Sequence, residues 1–465
     1  MFKKIFSRFC GKSASDDVKN EEDKIDDPFL YESFGQSEEY NLSSIQDRIE
    51  LSASLIDERP EEVIRLMKGN CHVLKRMLIL SMKTYTSDKL MFILTSTSRM
   101  NQCYLKLEKY AEVIAHFEEI EAYRQDALTL YPSNWNILLG CCNLFCQTVI
   151  AKFKLQHSCS EEIAEVFEIV NMMKLCFNNI SRKYSVSQTL EFTAGVLYGA
   201  SCFQLAKLFY KCAYDLFTED ELIARRDPIV NLGIYNVCLL NEAGLDLSTC
   251  EDSFREEIAM YEMLRTRQGE STCKSLMDLA IAHSHYGQFF LLQGNFIRAV
   301  DEHLVKIDLC KQAYGMESVS YTHEHIETLV LNSVQMIVNQ AENLPDSLRT
   351  DAFQSIVSSL SWFIDNNSSE IHFFVYVNHI AMELFRWYKR SDENLSAMKY
   401  LFVKIKHLSI LFDKYGTEKG IVDDMLDTYT ECLDFLKQNK DIITEEQVYI
   451  WIHYFEQMKS CGDKK

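Results

Sequence analysis

Proline and glycine are scarce in this chain, 5 and 15 among 465 residues, well below average usage. So few breakers leave no room for the turn-dense sequences of β-sandwiches and barrels, and no apolar/polar alternation long enough for a useful strand occurs. The five prolines, Pro28, Pro60, Pro132, Pro228 and Pro345, fall where helical pattern is already interrupted. The chain is expected to be all-α. A basic surplus is missing as well: 48 basic residues against 68 acidic ones give a formal net charge of −20. Nucleic acid is therefore not an expected partner, because neutralising phosphates needs the opposite balance. A surface this acidic attracts basic faces of proteins instead.

The motifs of common catalysts are missing too. Gly11-Lys-Ser ends like a phosphate-binding loop, but Phe6 stands where that loop needs its first glycine. There is no Cys-x-x-Cys, His-Glu-x-x-His or Gly-x-Ser-x-Gly. His283 with His285, and His323 with His325, are two apart, which on a helix points the rings away from one another rather than at one metal. Adjacent glutamates such as Glu118-Glu119 and Glu256-Glu257 read as solvated helix surface. No enzyme, cofactor, metal or small-molecule substrate is expected. The 16 cysteines form no paired framework. Cys141, Cys142 and Cys146 sit in apolar helical pattern, which suits reduced thiols in the cytoplasm.

What the chain does contain is amphipathic helix. Leu279 to Leu309 reads as a helical hairpin broken at Gln293-Gly294-Asn295. The spacing is that of a tetratricopeptide repeat, with Gly287 and Ala299 where the helices approach closely and Phe290 and Phe296 as aromatics filling the joint. Gly294→Val is expected to unfold the second half. One such unit cannot bury its own apolar face, which implies neighbours in a right-handed α-solenoid of stacked helical hairpins. A weaker hairpin runs from Asn101 to Phe117, with Tyr104, Tyr110 and Phe117 as aromatics. Ala127 to Ala151 lacks charge, yet Pro132, Asn134, Asn136, Asn143 and Gln147 argue for a buried core helix over a membrane span.

Residues 1–40 read as a disordered tail, in which Phe2, Phe6 and Phe9 beside Lys3, Lys4 and Arg8 offer a weak membrane contact over Phe2–Phe9. An N-terminal helical region is expected over 41–185, and a C-terminal one over 186–460. The polar run from Lys183 to Gln188 is taken as the break between them.

The order of segments resembles the KIF-binding protein family, helical repeat proteins that bind kinesin motors. Tyr104-Leu-Lys-Leu-Glu-Lys-Tyr110, then Arg124-Gln125, then Tyr131-Pro-Ser-Asn-Trp135 are similar to its hairpin, Arg-Gln pair and Pro-x-x-Trp. Leu197 to Phe209, Ile258 to Leu264 and Ile281 to Tyr286 resemble later segments, and the helices from 376 to 437 suit its end. The chain departs from the family in a shorter N-terminus, in extra residues from Glu219 to Arg226, and in an acidic segment, Cys250 to Glu257, where the family is basic. The resemblance implies a non-enzymatic, cytoplasmic, cytoskeleton-associated protein. It would wrap kinesin motor domains and hinder microtubule attachment, with Gln102 and Gln125 facing the motor from the first half's groove. Two alternatives remain open: a tetratricopeptide scaffold or co-chaperone gripping a peptide, which needs Lys, Arg and Asn in the groove, and the helical accessory half of a multi-chain enzyme.

Overall fold

A computed structural model describes residues 38–415, apart from 81–85, 177–178, 225, 269–271, 317–320, 367 and 369, and scattered positions from 428 to 438. The tail with Phe2–Phe9 and the helices expected beyond residue 419 lie largely outside the described residues. Within them the chain is all-α, and two short 3-10 turns are the only other regular elements among the described residues.

Two compact units are present, Met1–Glu161 and Glu162–Lys465. The first contains α1 (Glu38–Leu55), α2 (Pro60–Leu80), α3 (Ser87–Lys106), α4 (Tyr110–Glu119), α5 (Glu121–Leu130) and α6 (Trp135–Lys154). The second runs from α7 (Ser160–Cys176), whose first residues fall at the boundary, through α8 (Ile180–Gly199), α9 (Phe203–Tyr214), α10 (Glu219–Ala224), α11 (Arg226–Asn241) and α12 (Glu251–Gln268). It continues with α13 (Cys273–Leu292), α14 (Phe296–Tyr314), α15 (His323–Gln340), α16 (Asp346–Asp365), α17 (Ile371–Arg390) and α18 (Asn394–Tyr415). Starts are marked by side-chain caps: Thr86, Asn134 and Asn179 accept from first-turn N–H groups of α3, α6 and α8, and Thr272 with Ser275 closes a capping box on α13.

One turn recurs. Glu108, Gln156, Ser201, Gly294 and Asp392 each have φ between 57° and 73°. The following N–H reaches back to a carbonyl of the helix just ended: Lys109 to Tyr104, His157 to Lys152, Cys202 to Leu197, Asn295 to Phe290 and Glu393 to Tyr388. That left-handed reversal satisfies carbonyls the helix end would otherwise strand. Positions 108, 201 and 294 are evenly spaced along the chain, and 392 follows at nearly the same interval. Helices of equal length, α3, α8, α13 and α17, precede these four turns.

Packing repeats with the turn. Val113, Ala206, Ala299 and Ala397, each five residues beyond it, are fully buried, and Tyr104, Leu197, Phe290 and Tyr388, four before it, are buried. Phe290 and Ala299 belong to a core cluster with Leu239, Phe254, Tyr286 and Phe289. Fully burying each large apolar side chain there contributes about 1.5–3 kcal/mol. Gly287 is a true close approach: a Cβ there would lie 2.7 Å from Cδ2 and 2.8 Å from Nε2 of His303. Phe296 is half-buried, while Gly294 is exposed with nothing within 4 Å of a built Cβ.

Two sequence expectations change. The run Lys183 to Gln188 is helical, inside α8. Lys183 is buried and its Nζ donates to Glu221 Oε2 at 2.7 Å, and Ser187 is buried with Asn231 Nδ2 donating to its Oγ at 3.4 Å, so these two polar residues of the run face partners while Gln188 stays exposed. The open space around Gly294 also means that an added Cβ there meets no neighbour, only an unfavourable backbone.

Gly294→Val should therefore lower stability by about 1–2 kcal/mol, the cost of a side chain in left-handed backbone, rather than unfold the second unit. By the same reasoning Glu108→Gly should raise stability by about 0.5 kcal/mol after glycine's greater unfolded-state entropy is offset. Urea unfolding of the two variants measures both.

Candidate functional site

The first unit carries an open cavity of about 390 Å³ between α1, α3 and α6. Its floor is one stripe of α3, where Met91, Thr95, Ser98 and Gln102 recur at helical spacing beside Phe92 and Arg99. The opposite stripe, with Leu90, Ile93, Leu94 and Thr97, is buried. The walls meet closely because Gly140 of α6 lets Leu94 Cβ stand 3.1 Å from where a Cβ would be. Gln147 Nε2 donates to Ser98 O and Oγ, both at 3.0 Å, and ties α6 to α3. Asn134 Oδ1 accepts from Asn136 and Ile137 N–H and fixes the start of the α6 wall.

The lining is polar without acid. Gln46, Thr95, Arg99, Gln102, Asn136 and Asn143 supply amides, a hydroxyl and one guanidinium; Ile49, Met91, Phe92 and Leu139 supply the apolar part. No Asp or Glu lines it. Arg99 Nη1 donates to Gln102 Oε1 at 3.1 Å, and no carboxylate pairs with Arg99 among the described residues. Burial lowers the pKa of Arg99, because a guanidinium withdrawn from water without a counter-ion is held at a cost. Glu50, one turn along α1 from Gln46, is exposed and accepts from Gln46 Nε2 at 2.6 Å.

The two residues named as motor-facing occupy different places. Gln102 lines the cavity. Gln125 is exposed on α5, where its Nε2 donates to Glu121 Oε1 at 3.0 Å, and it is no part of the cavity lining. Its neighbour Arg124 is buried, with its guanidinium 3.7 Å above Phe117 and Nη1 donating to Phe117 O at 3.0 Å. Besides Gln125, α4 and α5 expose Glu112, Glu118, Glu119 and Glu121. Glu119 is held below the ordinary carboxylate range first by its hydrogen bond from Lys75, 2.5 Å away. Arg99 and Gln46 escaped the sequence reading, since polar residues on an amphipathic helix read as solvated until a neighbouring helix walls them in, and Asn136 and Asn143 read only as amides of a core helix.

The second unit arranges titratable groups differently, pairing several of them in part-buried positions between helices. His283 Nδ1 meets Glu302 Oε2 at 2.6 Å and His285 Nδ1 meets Glu257 Oε1 at 3.0 Å. His323 Nε2 meets Tyr314 O at 2.9 Å, and His325 engages its own cap Thr322. No cluster of three metal-ligating side chains occurs among the described residues. The acidic segment is spent internally as well. Glu251 accepts from Tyr286, Arg255 and Arg298, Glu256 from Tyr214, and Glu257 from Asn236. Arg226 donates to Asp278, its Nη2 at 2.7 Å from Oδ1.

No family model matches the chain, and no curated protein matches it. Solved structures do. The C-terminal part of a tetratricopeptide repeat-containing protein from Cytophaga hutchinsonii is 13% identical over 70% of this chain and 99% of its own, with a TM-score of 0.28. A circular tandem repeat protein is 11% identical over 86% and 97%, with a TM-score of 0.26. The APC/C hetero-tetramer Cut9-Hcn1 is 11% identical over 86% and 98%, with a TM-score of 0.26. At these scores nothing about function passes from them to this chain, and its architecture rests on its own hairpins.

The buried pair His303 and Lys306 gives the second unit a pH signature. His303 Nδ1 faces Ser333 Oγ at 3.2 Å while its Nε2 has no partner; burial, then Lys306, pulls its pKa down to about 3. Lys306 Nζ donates to Ser284 Oγ at 3.2 Å, and burial pulls it down to about 8. The folded state keeps His303 neutral, whereas the unfolded chain takes up a proton below its ordinary 6.5. Stability from this group is present above pH 6.5 and is lost as pH falls towards 3, on the order of a few kcal/mol. Chemical unfolding of wild type and His303→Gln between pH 7 and about pH 4 should show a shallower loss in the variant.

Proposed function

We propose that this chain is a non-enzymatic, cytoplasmic repeat protein that binds other proteins, with kinesin motor domains as its partners and hindrance of their microtubule attachment as the outcome. Stacked helical hairpins offer extended surfaces for protein contact. The kinesin reading rests on the order of segments from Tyr104 to Trp135 and from Leu197 to Tyr286. The single observation that supports it is the exposed acid on α4 and α5, the latter carrying Gln125, within a chain of net charge −20. A motor domain reaches acidic tubulin with a basic face, and a second acidic surface competes for that face.

The cavity of the first unit favours a second reading beside it. Its lining holds Arg99, Asn136 and Asn143 and no carboxylate, which supplies the Arg and Asn but not the Lys of the set a peptide-gripping scaffold needs. Acid for a basic partner and donors for an acidic one lie on different surfaces of the same unit.

In microtubule co-pelleting, the purified protein should lower the pelleted fraction of a motor domain at low salt. Added salt should weaken the effect as the charges are screened. Gln102→Ala with Gln125→Ala should weaken the complex several-fold without moving the melting temperature, because neither side chain is fully buried and each is bonded only within its own helix. Normal pelleting of motor domains from several kinesin families would rule the reading out.

A further inference from the structure

We propose that the exposed basic stripe of α2 is the docking surface of the chain's own acidic segment Asp16–Asp27, which covers the stripe within one molecule. The docked segment withholds the cations of α2 and leaves the first unit to meet partners with its acid and its cavity. The stripe is no part of the cavity lining.

From Val63 to Leu80, α2 contains no Asp or Glu, in a chain of net charge −20. Its buried stripe is Val63, Met67, Leu74 and Leu78. The exposed one is Arg65, Lys68, His72 and Arg76, at intervals of three or four residues that bring them onto one side of the helix. Lys75 stands beside them and is held by Glu119 at 2.5 Å. Neither Arg65 nor Lys68 pairs with a carboxylate among the described residues. Like charges one turn apart repel, so the row is a cost to α2 unless an anion lies along it.

The complementary charge stands close by in the chain. Asp16-Asp-Val-Lys-Asn-Glu-Glu-Asp-Lys-Ile-Asp-Asp27 holds seven carboxylates against two lysines, a net of −5, and α2 offers four cations and His72. The segment ends ten residues before α1 begins at Glu38. The short link from Leu55 to Pro60 returns α2 along α1, with Arg48 Nη1 donating to Asn70 Oδ1 at 3.4 Å, so α1 starts beside the end of α2 that carries Arg76. The stripe is about 16 Å long at the helical rise, and ten linking residues reach up to about 35 Å. A short tether keeps such a segment at an effective concentration in the millimolar range, which makes up for exposed pairs that are weak one by one. A flat anionic membrane fits the stripe less well, because it would meet the exposed Glu61 and Glu119 at its edges with like charge. A narrow acidic segment avoids them.

Zero-length cross-linking of the full chain tests the contact. A water-soluble carbodiimide activates a carboxylate, the lysine amine attacks the activated carbonyl, and an amide forms as a urea leaves with the carboxylate oxygen, so links form between groups already in contact. Peptide mass spectrometry should recover Lys68 joined to an Asp or Glu within 16–27, beside the Lys106–Asp57 link expected of their 3.0 Å pair. A mixture of unlabelled and nitrogen-15 protein should give this link without mixed isotopes.

Arg65→Glu with Arg76→Glu should lower the yield of the Lys68 link roughly five-fold, two exposed pairs being lost, and leave the Lys106–Asp57 link as it is. If the two glutamates disturb that control link, Arg65→Gln with Arg76→Gln carries the comparison. Three results would overturn the proposal. They are recovery of the control link with none from Lys68 or Lys75 to 16–27, which would leave the stripe to an acidic partner; an unchanged yield in the double variant; and mixed-isotope links in random proportion, which would put the contact between two copies of the chain.

Discussion

A helical hairpin cannot cover its own apolar face, and everything else in this chain follows from how each one is covered by the next. The helices must come close, and they must reverse direction in three residues without stranding the last carbonyls. The left-handed turn meets the second need and the small or compact residue five positions later meets the first. Val113, Ala206, Ala299 and Ala397 are fully buried after turns at 108, 201, 294 and 392. Where the helix before the turn has a larger neighbour to admit, it thins its own surface: Gly287 makes room for the ring of His303.

The sequence showed the α13–α14 hairpin because glycine marks its turn, and it showed α6 because an uncharged run with amides at intervals reads as core. It hid the regularity of the rest. Four of the five equivalent left-handed positions are Glu108, Gln156, Ser201 and Asp392; the first three carry no signal for positive φ and Asp392 only a weak one, and such residues adopt it at a cost of about 1 kcal/mol. The backbone pattern is therefore much more repetitive than the residues that build it. The Lys183 run was misread for a related reason. A polar stretch becomes buried helix when its partners, Glu221 and Asn231, arrive from distant parts of the chain, and no local window contains them.

Charge was legible as a total and illegible as a map. A balance of −20 said that the surface is acidic but not where: in the first unit carboxylates stand exposed on α4 and α5, and the cavity is lined by amides and Arg99. In the second unit part of the acid is paired within the chain near the surface, as with Glu251 receiving Tyr286, Arg255 and Arg298. Such pairs offset their own desolvation and fix which helix faces which, so they shape the fold while adding little to what a partner meets. Gln102 and Gln125, neighbours in the logic of a motif, are separated by this distribution into a donor-lined cavity and an acid-bearing surface.

The arginines make the same point in energetic terms. Arg124 is buried but stacks on Phe117 and donates to a carbonyl; Arg226 has Asp278; Arg298 lies over Phe290 and reaches Glu251. Each has a compensation built into the chain, and removing it would leave a charge whose desolvation is no longer offset. Arg99 alone among these four has only a neutral amide. A fold stabilised by burying apolar stripes gains nothing from a half-withdrawn guanidinium beside Phe92 and Leu139, where a leucine would fill the space without that cost. Arg99 is thus the one of the four whose withdrawal from water the described residues leave without a compensating charge or aromatic face.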